Sequence, residues 1–196
     1  EEEKSTPKGT VKEKELNSKG KENELRTITD RSSEPQAGQV RSIELIDGIK
    51  MEFVYVPAGE FWMGAMKEIG VGGNEKPKHK VYLDGYWIGK YPVTNRQYAC
   101  FVQDTTQKPP KHWINGEMLK GKMDHPVVNV SWYDAESYSK WLSQKFNMRI
   151  TLPTEAQWEK AARGNDGQEY PWGNEEPFSK LMNYNNNIKD TTIVGS

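Results

Sequence analysis

With one cysteine, Cys100, in 196 residues, the chain forms no internal disulfide, and its cysteine usage says nothing of redox compartment. Long apolar runs are missing as well. None approaches the roughly 20 residues of a membrane span, so no integral membrane segment is expected. Charge of one sign is also lacking, since 27 basic and 28 acidic residues leave a net charge of -1. That excludes the strongly basic balance of a nucleic-acid protein. No signal peptide is visible and the first residue is Glu1 rather than Met, so the start reads as processed or cut. There is no internal repeat.

Aromatic residues, in contrast, are plentiful. Seven Trp and nine Tyr stand in a chain that is only 34% hydrophobic. Each buries a large area, so relatively few of them suffice for a core. Residues 1–42 stand apart: Glu1 to Arg41 has no aromatic residue and no hydrophobic period, and its charges alternate and nearly cancel. That segment reads as a disordered tail or linker, or as a tether that folds on a partner. The domain is expected over 43–196.

Within it, Met51–Val56 alternates like a strand and stops at Pro57. Phe61–Met63 reads as a second short strand, and 80–90 as a strand pair turning at Asp84-Gly85. Val127–Val130 is a short buried strand candidate. Three helices announce themselves by capping boxes: Thr94 with Gln97, Ser131 with Asp134, and Thr154 with Gln157. Tyr98, Phe101 and Val102 share one face of the first helix. Ala135, Tyr138, Trp141 and Leu142 share a face of the second, and Ala156, Trp158, Ala161 and Ala162 line the third, which leaves at Gly164. Short strands, three helices and long loops argue for an α+β domain rather than βαβ units.

Five segments in order resemble the formylglycine-generating enzyme (sulfatase-modifying factor) family. They run from Phe53 to Gly64, Val81 to Asn95, His125 to Ala135, Arg149 to Gly164 and Tyr170 to Asn174. The resemblance covers 51–196 and implies a loop-rich variant of the C-type lectin fold. Family enzymes oxidise a substrate cysteine to formylglycine with copper and oxygen, through a cysteine pair in their C-terminal part. That part of the pattern would follow Ser196, so the domain is expected to be incomplete at its C-terminus. Cys100 cannot stand in for the pair, because it matches an early helix position. No copper is expected on this chain, since Cu(I) needs soft thiolate ligands. Other relatives include sulfoxide synthases, ligand-binding proteins and non-catalytic subunits of bacterial envelope assemblies.

Other chemistry is sparse. On the first helix Cys100 falls about 160° from the Tyr98–Phe101–Val102 face, so a peripheral position is expected. His79, His112 and His125 lack metal-ligand spacing. Asp134 with Glu136, and Glu155 with Glu159, are carboxylate pairs better explained by helix starts. Asn129-Val-Ser131 is a glycosylation acceptor at an expected buried strand end. Asn183, Asn185, Asn187 and Asp190 make an oxygen-rich loop without the plan of an EF-hand. By resemblance, Asn183, the Tyr184 carbonyl and Asp190 are candidate ligands for a structural calcium; a solvated polar loop is the alternative. Trp132, Trp141, Trp158 and Trp172 are expected in the core, and Trp62, Trp87 and Trp113 along a surface groove.

The reading that follows is a non-catalytic binding or assembly module, docking on a protein partner or forming an oligomer. An extracytoplasmic bacterial setting is preferred. The alternative is the N-terminal part of a copper-dependent oxidase that matures sulfatases, completed by more of the chain or by a second polypeptide.

Overall fold

The computed structural model describes residues 34–65, 75–184 and 187–196. Pro35–Ser196 is a unit separate from Glu1–Glu34, and all the elements that follow lie in it. They are β1 (Val40–Glu44), β2 (Lys50–Val56), β3 (Gly59–Met63), β4 (His79–Leu83), β5 (Tyr86–Gly89), α1 (Asn95–Asp104), α2 (Trp132–Phe146) and α3 (Glu155–Arg163). The arrangement is α+β. β1 takes in Val40–Ser42, residues whose polarity and exposure hide them from the sequence pattern. The rest of the expected tail, through residue 33, lies outside the described residues.

One sheet has the order β1-β2-β5 and the other is the pair β3-β4, all antiparallel. The expected hairpin at Asp84-Gly85 does not form. β4 pairs with β3, while β5 pairs with β2. The register explains why: Val56 faces Tyr86 and Gly59 faces Leu83, so the pairing runs on without a slip across Pro57-Ala58 and Asp84-Gly85. β2–β3 and β4–β5 are the two arms of a single long ribbon that changes sheet at two facing two-residue joints. Gly85 lets the Tyr55 ring pack close to its joint, since a Cβ there would stand 2.1 Å from the Tyr55 hydroxyl and push the ring aside.

Each helix starts as its capping box directs. Thr94 Oγ1 accepts from Gln97 N–H at 3.3 Å, and Gln97 Oε1 accepts from Thr94 N–H at 2.9 Å. The reciprocal pairs Ser131–Asp134 and Thr154–Gln157 repeat this arrangement, satisfying N–H groups that a helix start leaves orphaned. α2 ends at Asn147, whose left-handed φ of 49° stops it.

The core is aromatic and lies between α1 and α2. Tyr98 stacks on Tyr138 with centroids 5.7 Å apart, Phe101 meets Tyr138 edge-on at 5.6 Å, and Trp113 meets Tyr98 edge-on at 6.3 Å. Trp141 closes the group against Phe101.

Several further expectations change. Cys100 is buried, at 2% exposure, in the same cluster as Leu45 and Met51. α1 is covered on a second side near the turn after β1, so one apolar face does not describe it. Val127–Val130 forms no strand, because a lone bridge joins Thr94 and Pro126 and Asn129, with φ of 57°, then turns the chain. Trp132 and Trp158 lie outside the core, at 61% and 64% exposure, and the half-buried Trp172 stacks on Tyr170 away from it. Trp132 is the first residue of α2, ahead of the buried Tyr138–Trp141–Leu142 stripe. Trp158 faces away because α3 turns a polar face inward.

Candidate functional site

That inward face is Ala156, Glu159, Lys160 and Arg163, at the i, i+3, i+4, i+7 spacing of one helical side. Lys160 is 2% exposed. Its ammonium donates to the carbonyls of Pro57 and Gly59, each at 2.9 Å, gripping the joint between β2 and β3. Burial holds this ammonium below the usual lysine range. Glu159 accepts from Gly64 N–H at 2.8 Å and pairs with Arg163. Arg163 also reaches the carbonyls of Gly64, Gly167 and Gln168. The helix named most clearly by the sequence is thus held by donors and acceptors rather than by its tryptophan.

The three groove candidates do not come together. Trp62, on β3, is 39% exposed, with the Lys78 and Lys80 ammonium groups 5.9 and 5.6 Å from its ring centre. Trp87, on β5, is half-buried against Tyr55, with Arg41 4.6 Å above it. Trp113 is a correction: it is buried at 7%, because its indole N–H finds an internal partner in Asn95 Oδ1 at 3.2 Å. No ring contact joins the three among the described residues.

Asn95 is a residue that the sequence reading missed. It is 4% exposed, and its amide donates to the Lys122 and His125 carbonyls at 2.9 and 3.2 Å. It ties the start of α1 to the 122–126 segment. Nearby, His125 Nδ1 lies 2.8 Å from Thr191 Oγ1, so this histidine anchors the last described segment. His79 Nδ1 lies 2.8 Å from the Pro77 carbonyl. No group of three His, Cys, Asp or Glu suited to a metal occurs among the described residues.

In the oxygen-rich loop, Asn185 lies outside the described residues. Asn183 donates its amide to the Asp190 carbonyl at 2.7 Å, and the Tyr184 carbonyl accepts from Asn187 N–H at 3.0 Å. The Asp190 carboxylate takes Lys122 Nζ at 2.6 Å and Thr191 N–H at 2.7 Å, and these partners, Lys122 first, hold it below the usual carboxylate range. The oxygen donors suit a hard cation, and an ammonium stands on the one carboxylate among them.

The carboxylate pairs serve structure. Asp134 caps α2 and also accepts from Gln107 at 2.7 Å, while Glu159 belongs to the α3 clamp. Cys100 Sγ donates to the Arg96 carbonyl at 3.4 Å, and burial pushes the thiol up. It stays protonated and inward, the opposite of a metal-binding thiolate.

Comparison with known proteins decides the family. The model of the sulfatase-modifying factor enzyme 1-like domain matches residues 48–192. The chain belongs to this formylglycine-generating-enzyme-like family. Its relatives have varied roles. A serine/threonine-protein kinase, Pkn1 of Chlamydia trachomatis serovar L2, is 33% identical over 162 residues, covering 74% of this chain and 24% of the kinase. A formylglycine-generating enzyme of Thermomonospora curvata is 33% identical over 168 residues, covering 62% of this chain and 52% of the enzyme. Among solved structures, PvdO from Pseudomonas aeruginosa is 26% identical with a TM-score of 0.60, covering 77% of this chain and 59% of PvdO. The chain therefore spans between about a quarter and three fifths of the length of these relatives. No helix among the described residues is long and apolar enough to cross a membrane.

Proposed function

We propose that this formylglycine-generating-enzyme-like domain is a binding or assembly module that docks on a protein partner. The observation that carries the reading is the open aromatic pair at the start of α2. Trp132 is 61% and Tyr133 74% exposed, and their rings meet edge-on at 5.4 Å. Large aromatics left in water at adjoining positions mark interaction surfaces, and Trp and Tyr are the residues that most often carry binding energy. The chain is expected to sediment as an oligomer or a complex. Replacing both residues, Trp132→Ser with Tyr133→Ser, is expected to release the monomer with an unchanged melting temperature, since neither ring enters the core. A wild-type chain that is monomeric and partner-free in dilute solution would sink the reading.

The second reading, part of a copper-dependent oxidase that makes formylglycine, is favoured by the 33% identity to the Thermomonospora curvata enzyme. On that reading the copper ligands come from polypeptide other than residues 34–196, because Cys100 is buried as a thiol. Mapping the native protein's C-terminal peptide separates the two: a cysteine pair in continuation of the chain supports the oxidase. The family's lectin-like architecture and an extracytoplasmic setting belong to the proposal as well.

Calcium enters the proposal as a competitor of Lys122 for Asp190. Lys122→Met is expected to tighten calcium binding at least tenfold by titration calorimetry, because the ammonium no longer occupies the carboxylate. No binding heat in either protein would exclude calcium from this loop, and equal affinities would show that Lys122 does not compete for it.

A further inference from the structure

A cavity of about 520 Å³ opens beside α1, away from the polar α3 face and the oxygen-rich loop described above. Trp113 forms its buried floor, and Ala99, Val102 and Met118 are its half-buried walls. Gln103 and Glu117 stand exposed at its rim. The volume lies within the ~300–1,000 Å³ typical of ligand sites.

The rim is built rather than loose. Ile114 and Glu117 exchange backbone hydrogen bonds at 3.0 and 2.9 Å across Asn115-Gly116. Both central residues have positive φ, 52° and 83°, the conformation of the tightest two-residue turn, which Asn-Gly favours. This turn fixes Glu117 at the mouth and leaves Ile114 65% exposed on the same turn.

Charge selects the occupant. Asp104, the last residue of α1 and next to the rim residue Gln103, is already paired with Lys145. Glu117 has no ion pair among the described residues. An apolar trough with one free carboxylate at its edge complements apolar side chains followed by a cation. Met118 in the wall gives the trough an adaptable surface.

We infer that this cavity seats a peptide segment of a protein partner, one carrying apolar anchors next to an arginine or lysine. The inference rests on the docking function proposed above and gives it a second contact, distinct from Trp132–Tyr133.

The experiment is selection of a displayed random twelve-residue peptide library on the full chain. Enriched peptides are expected to pair apolar residues with an adjacent Arg or Lys. On Glu117→Lys, an exposed change that leaves the core untouched, enrichment is expected to switch to Asp or Glu in that place. The best wild-type peptide, dye-labelled, is expected to lose at least tenfold in affinity for the variant. No enrichment, or enriched peptides indifferent to Glu117→Lys, would overturn the inference. If that happens while the Trp132/Tyr133 variant still releases the monomer, the docking function stands and the cavity alone is refuted. Peptides that obey the charge switch in a chain whose assembly ignores Trp132 and Tyr133 refute the aromatic contact instead.

Discussion

Lys160→Ala is expected to destabilise the domain by about 4 kcal/mol. Two carbonyls, those of Pro57 and Gly59, lose the one side-chain donor they have among the described residues. A buried acceptor left unsatisfied costs about 1–3 kcal/mol, and the lost stem adds a cavity. For a domain of this size the melting temperature is expected to fall by roughly 10 °C. Lys160→Met keeps most of the volume and loses only the hydrogen bonds, so about half the effect is expected. Urea titration measures both. A cost below about 1 kcal/mol for the alanine variant would show that α3 is held by its other contacts. The lysine also has a pH signature. Burial depresses its folded-state value below 10.5, so the unfolded chain binds this proton more tightly. Its share of the stability therefore rises as pH climbs from the folded value towards 10.5, and the methionine variant lacks that rise.

The second large effect has the opposite sign at high pH. Burial raises Tyr86 and Tyr98 from 10 to about 12 and moves Tyr138 higher still. With folded values above the unfolded one, the native state keeps protons that the unfolded state gives up. Stability from these groups is fully present below pH 10 and is lost as pH rises towards 12. For Tyr98 and Tyr138, both deeply buried, the cost per group rises through that window towards about 1.4 kcal/mol per pH unit. The half-buried Tyr86 adds less, because solvent screens it. A fall of roughly 2 kcal/mol between pH 10 and 11 is expected in urea titrations followed by circular dichroism. Tyr138→Phe should flatten that slope by about a third to a half, and an unchanged slope would show that Tyr138 ionises without unfolding.

The helix starts were legible because a capping box is a local device: its partners are three residues apart. Strands β2 and β3 were legible for the same reason, since alternation needs only neighbours. The hairpin at Asp84-Gly85 was misread because the partner of β5 is set by the arm that begins at Lys50, beyond any local window. Trp158 and Lys160 show how an apolar pattern misleads. Two residues apart means about 160° around a helix, so choosing the tryptophan as inward sends the lysine outward, and here the backbone carbonyls of the β2–β3 joint reverse the choice. Cys100 was placed by one face of a helix that has two covered sides. Of the candidate site, the family was legible in five local segments. Asn95 was not, because nothing in the sequence brings Trp113 and Lys122 to its amide.

The ribbon that passes from one sheet to the other has a consequence for errors in folding. A strand that slips by one residue turns its inward side chains outward. Here the two-residue joints carry the register through, so a slip would evict Met51 from one sheet and Phe61 from the other in the same event. The molecule holds a single alignment decision and two independent checks on it. A misaligned ribbon is thus expected to lose buried side chains in both sheets at once.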